Sequence, residues 1–344
     1  MSLKKITTKL LFGSGLIAAL YSPVSLAETV MKVATWLPPT HVQNAVVWPT
    51  WAKWVEEATE GRVKVELEYG MGHPKSLYDL VEDGVVDAAF SYHGYVPGRF
   101  KLALGVEQPL LASSGEAASV AYWRVHEKYF AEANEHMGLK VLGVFAHGPA
   151  QMHLKFPIKS LKDLEGKKIR VPGGLPGVIG ERMHITPVNA PAPKAYELLQ
   201  QGVVDGIFMP AMEQKSMRLS EVAPYLVLFP HGLYSGSLSY FINEDFLDGL
   251  APEDREAILA VSGEKLSRMT GAAWDKADQE GIRTAEESGV QVLRLKDQDP
   301  LAKEFAALVA GMDQQWLKTV ADSGVDAKAA LKEMRQISKE FEHQ

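Results

Sequence analysis

From Val30 to Trp36 apolar and polar positions alternate, predicting a strand that Pro38-Pro39 ends. Helical spacing follows from Val42 to Thr59, bent or restarted at Pro49, with Trp51, Val55 and Ala58 on one face and Gly61 closing it. Trp48, Trp51 and Trp54, spaced by three, fit packing along that face. Val63 to Tyr69 alternates as a second strand. A short helix at Leu77 to Val81 leads into a third apolar strand, Val85 to Ser91. Strand, helix, strand, helix, strand is the rhythm of a parallel sheet covered by helices, an α/β fold.

The rhythm then repeats. A helix over Glu116 to Met137 precedes a strand at Lys140 to Phe145. Further strands are predicted at Lys168 to Val171, Thr186 to Val188 and Asp205 to Met209, separated by helices reaching Met183 and spanning Lys194 to Gln201. Pro252, with Glu253 and Asp254 suited to a positive helix end, opens a long helix that runs to Ser288 and closes at Gly289. A helical tail runs from Ala302 to the end. The segment from Leu80 to Asp87 echoes that from Leu198 to Asp205: helix, glycine, short turn, aspartate, strand. The echo fits either shared stop chemistry or two related lobes.

Composition narrows the function. At 46% hydrophobic and 23% charged, 344 residues suffice for two domains with their own cores. Cysteine is absent, which excludes disulfides, thiolate metal sites, a cysteine nucleophile and a lipidated cysteine. Residues 1–27 read as a cleaved secretory leader: Lys4, Lys5 and Lys9, an apolar run from Leu10 to Leu20, then Ser25-Leu26-Ala27. That run is short of the roughly 20 residues a membrane span needs. Cleavage takes the formal charge from −7 to −10, against a nucleic-acid or anionic-membrane binder, and places the protein in the periplasm.

Enzyme signatures do not assemble. Nothing matches a phosphate-binding loop, a dinucleotide fingerprint or, after the leader, a nucleophile elbow. The loop Pro172 to Gly177 has the wrong glycine spacing for a dinucleotide and suits close backbone approach instead. His147 and His153 fit one strand face without accompanying carboxylates, so no metal, cofactor or catalytic residue is expected.

The stretch from Pro157 to Gly173, PIKSLKDLEGKKIRVPG, is followed by Thr186-Pro187-Val188 and by Gln200-Gln201-Gly202-Val203-Val204-Asp205-Gly206. This ordered set resembles the DctP family, the solute-binding proteins of tripartite ATP-independent periplasmic (TRAP) transporters. Glu60 to Val65, Asp83 to Ala88 and Asn243 to Leu250 with the helix beyond are similar too, so the likeness covers nearly the whole mature chain. It implies a two-lobe clamp with a long hinge-crossing helix, closing on a small organic acid and delivering it to small and large membrane subunits. Lobe I would comprise 28–147 plus 236–275, and lobe II with the C-terminal helices 148–235 plus 276–344. Hinges are expected near 147, near 235 and inside the long helix.

The resemblance assigns the ligand carboxylate to Arg170. A guanidinium offers a flat, permanently charged fork for that role, although on charge alone Arg170 equally fits a pair with Asp163 or Glu165. Two departures bear on the ligand. Ile207-Phe208-Met209-Pro210 stands where many members have Q-E-N-P, and Ala150-Gln151-Met152 stands where members taking multiply charged acids carry a second arginine. A second buried carboxylate would face Phe208 and Met209 uncompensated, so a monocarboxylate with an apolar or aromatic body is expected. Trp36, Tyr92 and His93 at strand ends are candidate walls and equally candidates for packing. Gln151 and Tyr234 complete the candidate contacts. A binding component of another importer, an organic-acid sensor and an exported enzyme are the competing readings.

Overall fold

The computed structural model describes residues 28–342, and the predicted leader lies outside them. Eleven strands are described: β1 Thr29–Thr35, β2 Val63–Tyr69, β3 Ala88–Tyr92, β4 Leu139–Ala146, β5 Ala150–Leu154, β6 Lys168–Val171, β7 Thr186–Asn189, β8 Gly206–Pro210, β9 Tyr225–Leu228, β10 Ser237–Asn243 and β11 Gln291–Arg294. The first lobe has the sheet order β2-β1-β3-β10-β4, the second β11-β9-β5-β8-β6-β7. Two of the four pairings in the first sheet and three of the five in the second are parallel. One strand per sheet, β10 in the first and β5 in the second, runs antiparallel to both neighbours.

The helices are α1 Trp48–Ala58, α2 Leu77–Glu82, α3 Gly115–Val125, α4 Leu175–Arg182, α5 Ala195–Gln200, α6 Glu213–Ser216, α7 Glu244–Asp248, α8 Pro252–Ala260, α9 Gly263–Glu287, α10 Pro300–Val309, α11 Met312–Thr319 and α12 Ala327–Glu342. Trp48 and Trp51 of α1 are fully buried against the first sheet, as the three-residue spacing predicts. The helix expected from Pro252 to Ser288 is two helices. Gly263 takes a left-handed φ of +62°, and Ser262 turns its hydroxyl back onto Ile258 O (2.7 Å). The helix expected to reach Met137 is regular to Val125, then passes through wider and tighter turns until Asn134 stops it at φ 48°. Strands β9, β10 and β11 have no counterpart in the sequence reading, and β5 has one only in His153, placed there on a strand face with His147. Every residue of β5 and β10 is buried, so neither shows the alternation that marks a half-exposed strand.

The chain crosses to the second lobe at 147–149 and returns at 229–236. α9 is the third connection. A Cβ on Gly271 would fall 2.5 Å from the Gly115 carbonyl oxygen in the first lobe, and one on Gly281 2.4 Å from that of Ala211 in the second. Between them, Asp275 accepts from the backbone N–H of Gly115 (2.6 Å) and Glu116 (2.8 Å), while Asp278 accepts from Met212 N–H (2.7 Å). The tail divides. α10 packs into the second lobe, but Trp316 of α11 and Leu331 and Met334 of α12 join the first lobe's core, so the expected assignment of 276–344 to lobe II does not describe their packing.

The echo between 80–87 and 198–205 is an equivalence in hydrogen bonding. Gly84 and Gly202 stop their helices at φ +66° and +70°. Asp87 then accepts from Lys32 N–H at 2.6 Å, and Asp205 from Lys168 N–H at 2.9 Å, each on the adjoining strand of its own sheet. Each aspartate also donates its N–H back to the same lysine's carbonyl. The two lobes use one device at the same place in their sheets.

Candidate functional site

Arg170 sits in β6 between the buried Ile169 and Val171, paired in register with Ile207 of β8 and Val188 of β7. Pro172 then ends the strand. Gly173 and Gly174 take positive φ (97° and 64°), and a Cβ on Gly173 would lie 3.2 Å from Gly94 O of the first lobe. The arginine therefore projects at the seam, where the loop behind it touches the other lobe. It is 1% exposed. Its Nε donates to Ala190 O (2.9 Å), but one terminal nitrogen has no protein partner. An unpaired donor on a buried cation is costly, so the fork is set for an anion.

That donor belongs to a cavity between the lobes, with Trp36, Tyr92 and Tyr95 from the first and Met209 and Tyr234 from the second. The space is about 40 Å³, on a measure where one water needs about 10–15 Å³. Aromatic rings make up about half of its wall. Trp36 stacks on Phe90 (5.2 Å between centroids) and meets Tyr95 edge-on (5.8 Å), and Tyr92 meets Tyr95 edge-on (5.0 Å). Their polar ends are occupied elsewhere: the Trp36 indole donates to Phe90 O, Tyr92 to Glu107 and Tyr234 to Phe208 O, while the Tyr95 hydroxyl accepts from Ala192 N–H at 2.9 Å. Burial raises all three tyrosines above their ordinary pKa, so they remain neutral.

A carboxylate also faces this cavity. Glu213 of α6 is 2% exposed and accepts from the Ser216 hydroxyl. Its other oxygen lies 3.5 Å from Nε2 of the buried His41, within ion-pair range but outside hydrogen-bond geometry. Burial pushes this carboxyl up, yet the His41 and Ser216 contacts outweigh it and hold the group below the usual glutamate value. Next to it, His147 sits in the first crossing, its Nδ1 at 2.6 Å from Gly148 O and its pKa lowered to about 4 by burial.

Residues 33–319 match the DctP family, bacterial extracellular solute-binding protein family 7. The chain belongs to this family. A TRAP periplasmic solute-binding protein from Bordetella bronchiseptica with bound (R)- and (S)-mandelate is 34% identical, with a TM-score of 0.87 over 91% of this chain and 99% of that one. A marine metagenome TRAP protein specific for aromatic acids, crystallised with 3-hydroxybenzoate, is 30% identical (TM-score 0.84, 92% and 99% covered). One from Rhodoferax ferrireducens with copurified benzoate is 25% identical (TM-score 0.86, 92% and 99% covered).

Of the residues singled out from the sequence of this DctP protein, Trp36, Tyr92, Arg170, Met209 and Tyr234 line the one cavity. Three are placed elsewhere. Phe208 is adjacent to Met209 in a strand, so its ring points to the opposite face and packs in the second lobe's core. His93 follows Tyr92 and turns into the first lobe, 3.2 Å from the His136 ring and against Phe100. Gln151 is buried but bonds both ways with the Phe229 backbone, tying the return crossing to β5. His153 is held by Met209 O (3.0 Å) and Gln214 (2.7 Å), and His147 lies in the crossing rather than on its strand. Among the described residues no group of three or more His, Asp or Glu side chains is placed to hold a metal. The sequence reading passed over Tyr95, His41, Glu213 and Trp274. Tyr95 alone had a local signal, an aromatic three residues beyond Tyr92 at the same strand end.

Proposed function

We propose that this TRAP solute-binding protein captures a small monocarboxylic acid with an aromatic body in the periplasm and delivers it to the transporter's small and large membrane subunits. The observation that carries the reading is the buried Arg170 terminal nitrogen, without a protein partner, in a cavity whose wall is rich in aromatic rings and carries Leu37, Met209 and Leu238 beside them, with Glu213 and His41 at one side. A carboxylate completes the guanidinium's hydrogen bonding and a flat apolar body fits between the rings. The space holds about three or four waters on the scale above, the size of a one-ring acid.

The charges oppose a dicarboxylate. A second carboxylate in this cavity would meet Glu213, a like charge in a site of low polarity. The bound mandelate, benzoate and 3-hydroxybenzoate of the similar structures support the same class. The cavity has walls from both lobes, so a bound acid favours the closed arrangement by touching both. Removal of residues 1–27 as a secretory leader supplies the periplasmic address.

The test is a thermal-shift screen over organic acids followed by calorimetry. A ligand at a hundred times its dissociation constant adds about 2.7 kcal/mol of stability. Benzoate, mandelate or phenylacetate should stabilise the protein, and Arg170→Ala should bind the same acid more weakly by about 2–5 kcal/mol. Stabilisation by succinate or a sialic acid, with none by an aromatic acid, overturns the assignment.

A further inference from the structure

The cavity holds a second recognition element that the carboxylate and the ring leave unused. Backbone N–H of Gln43 donates to His41 Nδ1 (3.1 Å), so that nitrogen is an acceptor and the imidazole proton resides on Nε2. This Nε2–H donor is fully buried, lines the cavity and has no hydrogen-bond partner in the protein. Beside it stands Glu213. One of its oxygens takes the Ser216 hydroxyl; the other has only the His41 contact at 3.5 Å. One donor without a hydrogen-bond partner and one carboxylate oxygen thus lie side by side on the cavity wall.

A single group satisfies both: a hydroxyl, which donates to Glu213 and accepts from His41. A second carboxylate cannot donate to Glu213, an ammonium cannot accept from His41, and a bare ring leaves both unpaired. Arg170 forms no ion pair with Glu213, so the two elements read different parts of one ligand. We infer that Glu213 and His41 form a hydroxyl-reading subsite, making the cargo a hydroxylated aromatic acid rather than its unsubstituted parent. This rests on the aromatic-acid reading above and specifies it.

The experiment is calorimetry with matched pairs: 3- and 4-hydroxybenzoate each against benzoate, and mandelate against phenylacetate, on the wild type and on Glu213→Met, whose side chain has similar length but no strong acceptor. Leaving a buried donor or acceptor unpaired corresponds to a roughly 10- to 100-fold loss of affinity. The wild type should therefore bind at least one hydroxylated acid that much more tightly than its parent, and in Glu213→Met the ratio within that pair should fall toward unity. Equal wild-type affinities within every pair overturn the subsite while the aromatic-acid reading stands. An unchanged ratio in Glu213→Met also overturns it. Absence of binding by all these acids sinks both. If the variant does not fold, the wild-type ratios alone decide.

Discussion

Gly281 of α9 and Met212 at the start of α6 are in backbone contact: a Cβ at 281 would lie 2.4 Å from the Met212 Cα. Neither side can yield, because the obstructing atoms are main chain. Gly281→Ala should push the second lobe off the helix and cost about 1–3 kcal/mol of stability, as overpacking usually does. Thermal unfolding of the purified variant measures this, and an unchanged midpoint would show that the contact relaxes freely.

Asp278, one turn before Gly281, accepts from the Met212 N–H (2.7 Å), and burial pushes its carboxyl well above the ordinary aspartate range. Asparagine keeps an acceptor of the same shape; alanine does not. Asp278→Ala should therefore lose about 1–3 kcal/mol through the unpaired amide, and Asp278→Asn much less. Equal losses in chemical denaturation would count against the amide as the cause.

Glu107 gives stability a pH dependence. Buried in the first lobe, it accepts from Ser237 N–H (3.0 Å), the Ser237 hydroxyl (2.7 Å) and Tyr92 (3.3 Å). Burial outweighs these bonds and raises its pKa from 4.5 to about 7. The folded state thus binds more protons between those values. The group's contribution is complete below pH 4.5 and lost as pH rises through 7. The wild type's stability advantage over Glu107→Gln should shrink across that window in thermal melts. A difference that stays flat with pH would contradict it.

Arg170→Lys keeps the charge but not the fork. Lysine is a flexible point charge, so binding of the stabilising acid should fall between wild type and Arg170→Ala. Calorimetry on the three proteins orders them, and full affinity in the lysine variant would mean that charge alone suffices.

Where the sequence was readable, the cause was local. The parallel strands of the first lobe alternate or run apolar between glycine and proline stops, and Arg170 lies within one short run of consecutive motif residues. The strands β5 and β10 carry glutamine, histidine and serine in buried positions, because those side chains bond within the protein: Gln151 and His153 to neighbouring main chain, Ser237 to Glu107 and Ser239 to the Tyr78 hydroxyl. Their polarity hid them. Phe208 and Met209 were indistinguishable by composition, and only the parity of β8 separates core from cavity. His41 and Glu213 come from different lobes, so no spacing along the chain announces that they meet.

Strand β10 lies between β3 and β4 in the first sheet, yet the chain reaches it only after building β5 to β9 of the second. A nascent chain that has emerged as far as residue 228 has five of the second sheet's six strands but a gap in the middle of the first. The half synthesised earlier is thus the half that finishes later, its two flanks held apart until a distant segment slots in. During biogenesis the open flanks of β3 and β4 are the surfaces that a holding chaperone would need to cover.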